Sequence, residues 1–181
     1  VSDVVIGGIK AFCSFDHLIE FTRSAPAKKI AQKSIRADIR EKKENLKTAG
    51  DYIKEAQASF NSYIRIRDVN KLCISCGCLP GDTVRGGKFD AGHYRSRGSA
   101  SHLKYHLLNC HSQCVKCNRY LSGNVVEYRK GLIARIGAER VEKLEMDNNP
   151  RKLTIDYLKR VKKIFNYRKR LYERKFRCPK H

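Results

Sequence analysis

The chain has 181 residues, room for one modest domain with appendages rather than two large cores. Its 39 Lys and Arg against 18 Asp and Glu give a formal charge of +21 and a pI near 9.9, a balance that points to a polyanionic partner, nucleic acid first. No apolar run approaches the roughly 18 residues of a spanning helix, and Asp3 in a short apolar opening does not fit a secretory signal, so no membrane role and a cytoplasmic location are expected.

Residues 1–25 form a leading segment without an assignable role, in which Phe12, Phe15, Leu18, Ile19 and Phe21 suggest a short apolar helix. Pro26 marks a boundary. Residues 26–68 read as a basic helical arm, with eight basic and three acidic residues over 28–47, followed by an amphipathic helix. In that helix Ile53, Ala56, Phe60, Tyr63, Ile64 and Arg67 keep three-and-four spacing over about five turns. Residues 69–137 are first cysteine-rich, with a loop expected at 80–87, then helical: Asn124 with Glu127 reads as an N-cap and capping box, and Gly137 as a stop.

Residues 138–181 carry a short helix at 138–147 and a long one opened by Pro150 and Thr154, with Leu158, Val161, Phe165, Arg168 and Tyr172 on one stripe. That stripe, like the one at 50–68, requires a partner, either the domain itself or a second copy in a homodimer. Residues 151–181 hold 13 basic and two acidic residues, so this last sixth of the chain supplies +11 of the charge. Such an excess favours phosphate contact over a merely solvated face.

Eight cysteines without a signal peptide argue for thiolates and metal rather than disulfides. Cys73 and Cys76 form one Cys-x-x-Cys pair, and Cys114 and Cys117 the other, the pattern of two knuckles closing on one structural Zn2+. The 37 residues between the pairs are too many for a compact ribbon, so the zinc would clamp the ends of an inserted unit. Cys13, Cys78, Cys110 and Cys178 lack ligand spacing and read as small apolar residues or free thiols.

Between the knuckles stand Asp90-Ala91-Gly92-His93 and Asn109, five residues before Cys114; Asn118 directly follows Cys117. This order resembles the HNH, or His-Me finger, nucleases in an H-N-N variant. The runs Cys-Ile-Ser-Cys-Gly, Asp-Ala-Gly-His-Tyr-Arg, Gln-Cys-Val-Lys-Cys-Asn and Ser-Gly-Asn, with Arg135-Ile136-Gly137 and the Thr154-started basic helix, narrow the resemblance to the NinG (Rap) recombination endonuclease family of lambdoid phages. It covers residues 50–175; the first 25 lie outside it.

The resemblance implies an α+β, predominantly α fold: a small zinc-stabilised ββα-metal core flanked by basic amphipathic helices. It also implies a metal-dependent, structure-specific DNA endonuclease acting on Holliday junctions and D-loops in phage recombination, in the host cytoplasm and in company with a recombinase. Asp90 and Asn118 would hold one Mg2+ or Mn2+, and Asn109 would fix the loop that orients His93. The chemistry makes independent sense, because hydrolysis of a phosphodiester needs a base for water and a cation near the leaving oxygen. An imidazole, with an ordinary pKa near 6.5, suits His93 to the base role. In many HNH sites the acid immediately precedes the histidine; here Asp90 sits three residues earlier, on the same strand parity but roughly 7 Å further along.

Arg95, Arg97, Lys104, Lys116 and Arg119 lie near the motif in sequence and are expected on phosphates, as are Lys159, Arg160, Lys162, Lys163, Arg168, Lys169 and Arg170 of the last helix. Tyr94 and Tyr105 suit either base stacking or core packing. His102, His106 and His111 read as loop or surface histidines. Two alternatives compete with the junction nuclease: a non-catalytic zinc-stabilised nucleic-acid-binding protein, and a sequence-specific HNH homing or restriction endonuclease, for which no base-reading element is evident.

Overall fold

The computed structural model describes residues 5–7, 10–80 and 89–176. Cys178, the first four residues, and all but the first residue of the loop expected at 80–87 lie outside them. The chain divides into two units, residues 1–48 and 49–181.

In the first unit, strands β1 (Val5–Gly7) and β2 (Lys10–Phe12) pair antiparallel, Val5 opposite Phe12. Helix α1 (Phe15–Arg23) follows, so Phe12 belongs to a strand rather than to the expected apolar helix; its ring meets that of Phe21 at 5.2 Å. The Ser14 hydroxyl caps α1 by accepting from the His17 N–H, and Ser24 does the same for α2 (Ala25–Asn45) through Ala27. Pro26 sits in the first turn of α2, where its missing N–H costs nothing, so it starts the arm instead of separating two segments. Neither helix buries a side chain.

The second unit is organised by α3 (Ala49–Arg67) and α6 (Ile155–Phe176). Tyr52, Ala56, Phe60, Tyr63 and Ile64 of α3 meet Leu158, Val161 and Phe165 of α6 in one buried cluster, so each apolar stripe is the other's partner. A homodimer would have to use other faces. Phe60 is fully buried and packs edge-on against Phe165 at 4.8 Å and Tyr105 at 5.8 Å. Burial of such a ring contributes about 2–3 kcal/mol.

Strand β3 (Asp90–His93) pairs antiparallel with β4 (Cys110–Gln113) in the register Asp90–Gln113, Ala91–Ser112, Gly92–His111, His93–Cys110. All four residues of β4 are buried. A single π-type turn at Lys116–Tyr120 follows, then α4 (Val125–Ile136) and α5 (Ala138–Met146). These two helices enclose a second apolar cluster: Tyr128, Leu132, Val141 and Leu144 against Ile74, Ala100 and Leu103. At Gly131 a Cβ would lie 1.9 Å from the Ile74 carbonyl oxygen, so α4 can approach the first knuckle only with glycine there. The secondary structure is α+β and mostly helical. Among the described residues no helix is long and apolar enough to cross a membrane.

Asn124 does precede α4, but not as a capping-box residue. Its φ is +43°, and its amide donates to the Cys117 sulfur at 3.5 Å rather than its oxygen capping the helix. The left-handed backbone, tolerated by Asn, turns the side chain back to the thiol cluster.

Candidate metal centre and cleft

Each knuckle is a tight turn that brings two sulfurs together. Gly77, with φ +71°, closes the first by donating its N–H to the Cys73 carbonyl at 3.0 Å, and the Cys73 N–H returns to the Cys78 carbonyl at 2.9 Å. The sulfurs of Cys73, Cys76, Cys114 and Cys117 all lie within 4.8 Å of one another. Zn–S bonds of about 2.3 Å in a tetrahedron set sulfurs about 3.8 Å apart, and Cys76 and Cys114 are 3.8 Å apart.

Backbone donors face these sulfurs as they would thiolates: Cys114 N–H to Cys73 at 3.3 Å and Cys117 N–H to Cys114 at 3.4 Å. Burial raises the Cys76 thiol, but hydrogen bonds from the Cys78 backbone and neighbouring thiols bring it down to about 7. The donor set therefore fits a metal such as zinc. Cys78 packs against the cluster as a fifth thiol outside the four-ligand set.

His93 stands at the end of β3, its ring 6.0 Å from that of Phe60. Its Nε2 lies 2.9 Å from the Lys104 carbonyl oxygen, which can only accept, so Nε2 carries the proton and Nδ1 holds a lone pair. Nδ1 looks toward the Cys110 sulfur across a long 3.7 Å contact. Burial, together with the charges of Arg97 and Lys104, outweighs the carbonyl bond and lowers the His93 pKa from 6.5 to about 4. The imidazole is neutral at pH 7.

His93 shares a cleft of about 340 Å³ with Asp90, Asn118, Arg65, Arg97 and Arg119. Asp90 Oδ2 accepts from Asn118 Nδ2 at 2.9 Å and Arg119 Nε at 2.7 Å, and Oδ1 accepts from Arg119 Nη2 at 3.0 Å. Burial alone would raise the Asp90 pKa; the bonds from Arg119 and Asn118 hold it below its ordinary value. Asp90, Asn118 and His93 thus reach one cleft from β3 and the π-type turn.

Asn109 does not face the cleft. It is fully buried: its Oδ1 accepts from the Arg95 N–H at 2.8 Å, while Nδ2 donates to the carbonyls of Arg95 at 3.0 Å and Leu103 at 3.3 Å. These bonds tie down the loop that carries the Lys104 carbonyl to His93.

Arg95, expected on phosphate, is engaged elsewhere. Its guanidinium donates to the carbonyls of Leu144, Glu145 and Asp147 and to Asn148 Oδ1, satisfying the C-terminal end of α5. Tyr94 donates to Glu145 and Tyr105 lies in the α3–α6 core, so both tyrosines serve packing. Arg97, Lys116 and Arg119 are exposed, while Lys104 is half-buried. On α6, Arg160, Lys163 and Arg170 are exposed; Lys162 pairs with Glu55 at 2.9 Å, Lys169 with Glu173 at 3.6 Å, Lys159 stands over the Tyr52 ring, and Arg168 over Phe165.

His111 is not a surface histidine. It is buried beside a clamp absent from the sequence reading: Arg67 donates through Nε and Nη2 to both oxygens of Asp68, at 2.8 and 2.6 Å, and to the carbonyls of Leu107 and Cys110. Asp68 also accepts from the Ser112 N–H at 3.1 Å and pairs with Lys71 at 3.0 Å. Although burial opposes ionisation, Arg67 and Lys71 hold Asp68 well below the carboxylate range. Burial and the Arg67 charge push His111 down to about 3. The available signal was Arg67 itself, a charge in the next position of an apolar stripe. His102 reaches the Asp147 carbonyl at 2.6 Å, and burial lowers the pKa of His106.

Together these features define a small, strongly basic α+β protein in which the β3–β4 sheet runs between a four-cysteine cluster that fits a metal and a His–Asp–Asn cleft. A family profile described as "Bacteriophage Lambda NinG protein" matches residues 13–175, and the chain belongs to this NinG family. The match includes α1 and α2, beyond the motifs of residues 50–175. Protein ninG of Escherichia phage lambda is 44% identical over 117 residues, 65% of this chain and 55% of that protein. Protein ninG of Escherichia phage 933W is 42% identical over 117 residues, 65% and 56% of the two chains. That of Enterobacteria phage H19B is 42% identical over 124 residues, 68% and 59%. The chain spans somewhat more than half the length of the curated relatives it matches. No solved structure matches it.

Proposed function

We propose that this chain is a metal-dependent DNA endonuclease of the HNH, or His-Me finger, type that hydrolyses phosphodiester bonds in branched recombination intermediates. The observation that carries this reading is the neutral His93, fixed by the Lys104 carbonyl in the tautomer whose Nδ1 keeps its lone pair and meets only the long Cys110 sulfur contact, in one cleft with Asp90, Asn118 and three arginines. In this reading Nδ1 takes a proton as water oxygen bonds to phosphorus, the P–O3′ bond breaks, and the departing oxygen is protonated from solvent. Asp90 and Asn118 would hold Mg2+ or Mn2+; a hard cation takes a carboxylate, an amide oxygen and waters, and Asn118 presents its oxygen after an amide flip. When bound, that ion supplies positive charge to the phosphate and the leaving oxygen.

Arg65 and Arg97 suit the flanking phosphates, and the exposed cations of α6 suit a second stretch of backbone. The preference for junctions and the partnership with a recombinase rest on the family resemblance. Cleavage of a labelled four-way junction, beside linear duplex and single strand, with and without Mg2+ or Mn2+, tests the reading. Metal-dependent cutting of the junction, lowered about 10²- to 10⁴-fold by His93→Ala with metal content and DNA binding intact, is expected. Salt-sensitive binding without cutting would leave a zinc-stabilised binding protein instead.

A further inference from the structure

Arg119, expected on phosphate, instead holds a carboxylate of the cleft. Its neighbour Asn118 comes from the family motif, but the fork of Arg119 covers both oxygens of Asp90, at 2.7 and 3.0 Å. The two partners differ in setting: the Arg119 side chain is 64% exposed and the Asp90 side chain 21%. The carboxylate is fixed in the cleft wall, whereas the guanidinium reaches it from solvent on a long stem. A planar fork that matches a carboxylate matches a phosphate equally well.

We propose that Arg119 is a displaceable cation that occupies the Asp90 carboxylate until a divalent ion takes its place, and that the released fork then binds a DNA phosphate at the rim. The inference rests on the nuclease reading above. Asp90 Oδ2 already accepts from Asn118 and Arg119 and Oδ1 from Arg119, so a divalent ion entering on the side the fork covers takes lone pairs the guanidinium uses and repels its charge, which loosens the pair. DNA offers the displaced fork an alternative anion and so removes a competitor from the metal site. Linkage makes the effect mutual: DNA tightens metal binding and metal tightens DNA binding. Arg65 and Arg97, which line the same cleft, add to the attraction for phosphate without holding Asp90 through a hydrogen bond.

The test is Mn2+ titration of the full chain followed by electron paramagnetic resonance, with zinc content and circular dichroism verifying the fold. Without DNA, Arg119→Ala is expected to bind Mn2+ about two- to fivefold tighter than wild type, the range an exposed ion pair supports. Arg119→Lys, which keeps the charge and loses the fork, falls between them. In a His93→Ala background, which keeps the DNA whole, a short duplex tightens Mn2+ binding when Arg119 is present and fails to do so with Arg119→Ala. Mn2+ binding that Asp90→Asn abolishes but Arg119→Ala leaves unchanged or weaker would overturn the displaceable cation while the nuclease reading stands. Absence of any Asp90-dependent Mn2+ binding would overturn both.

Discussion

The two sides of the cleft are held by different physics. His93 rests on the aromatic core of α3 and α6 through Phe60, and its tautomer is set by a loop that Asn109 ties down. Asn118 and Arg119 ride on the turn that begins two residues after Cys114, so their position depends on four sulfurs. Strand β3 joins the two, with His93 at one end and Asp90 at the other. The side chains of one cleft therefore owe their placement to burial on one side and, on the other, to a four-sulfur cluster of a kind that fits a metal. The two supports can be removed separately.

Metal removal has the largest expected effect. Structural zinc contributes on the order of 10 kcal/mol to small sites; Cys114→Ser, or a strong chelator, should abolish hydrogen-exchange protection across β4 and the following turn. The α3–α6 core should stay protected longer, and simultaneous loss of both would break the comparison. Next comes Phe60→Ala, expected to cost about 3–5 kcal/mol while leaving zinc content at one per chain; urea denaturation with a zinc assay checks both, and loss of zinc would show that the sides are one unit.

Per pH unit, the smallest effect is that of acid. His93 and His111 titrate at about 4 and about 3 in the fold against 6.5 unfolded, so the unfolded chain takes up protons first as pH falls. Their stabilisation is complete above about 6.5 and is lost as pH drops through that interval, by at most about 2.7 kcal/mol per unit for two groups. Denaturation midpoints at pH 7.5, 6 and 5 measure it. A flat profile would mean that neither imidazole is held neutral by burial.

The knuckles and the helices at 49–67, 125–136, 138–146 and 155–176 were legible because ligand spacing and helical periodicity are local properties. The gathering of Asp90 and Asn118 followed from motif order. What the one-dimensional pattern hid was the destination of charge. Arg95 stands in the motif yet completes the end of α5, and Arg67 stands in an apolar stripe yet holds Asp68 and the β4 carbonyls. Both arginines find partners 40 or more residues away, and neither local propensity nor net charge carries that information. Asn124 shows the same limit at short range: a good capping residue is used instead, in a left-handed conformation, as a donor to sulfur.

Strand β4 has no idle face. Cys110 lies in the aromatic core, His111 beside the Arg67 clamp, the Ser112 N–H on Asp68, and Gln113 under Gly92, where a Cβ would come within 2.1 Å of the Gln113 amide oxygen. Sliding the strand by one residue would drive an imidazole into the core and a thiol into the ion cluster, two errors at once. The pairing is therefore keyed like a lock with wards on both sides. Insertions and deletions that diversify this fold must fall in the connections, leaving the four-residue strand at constant length.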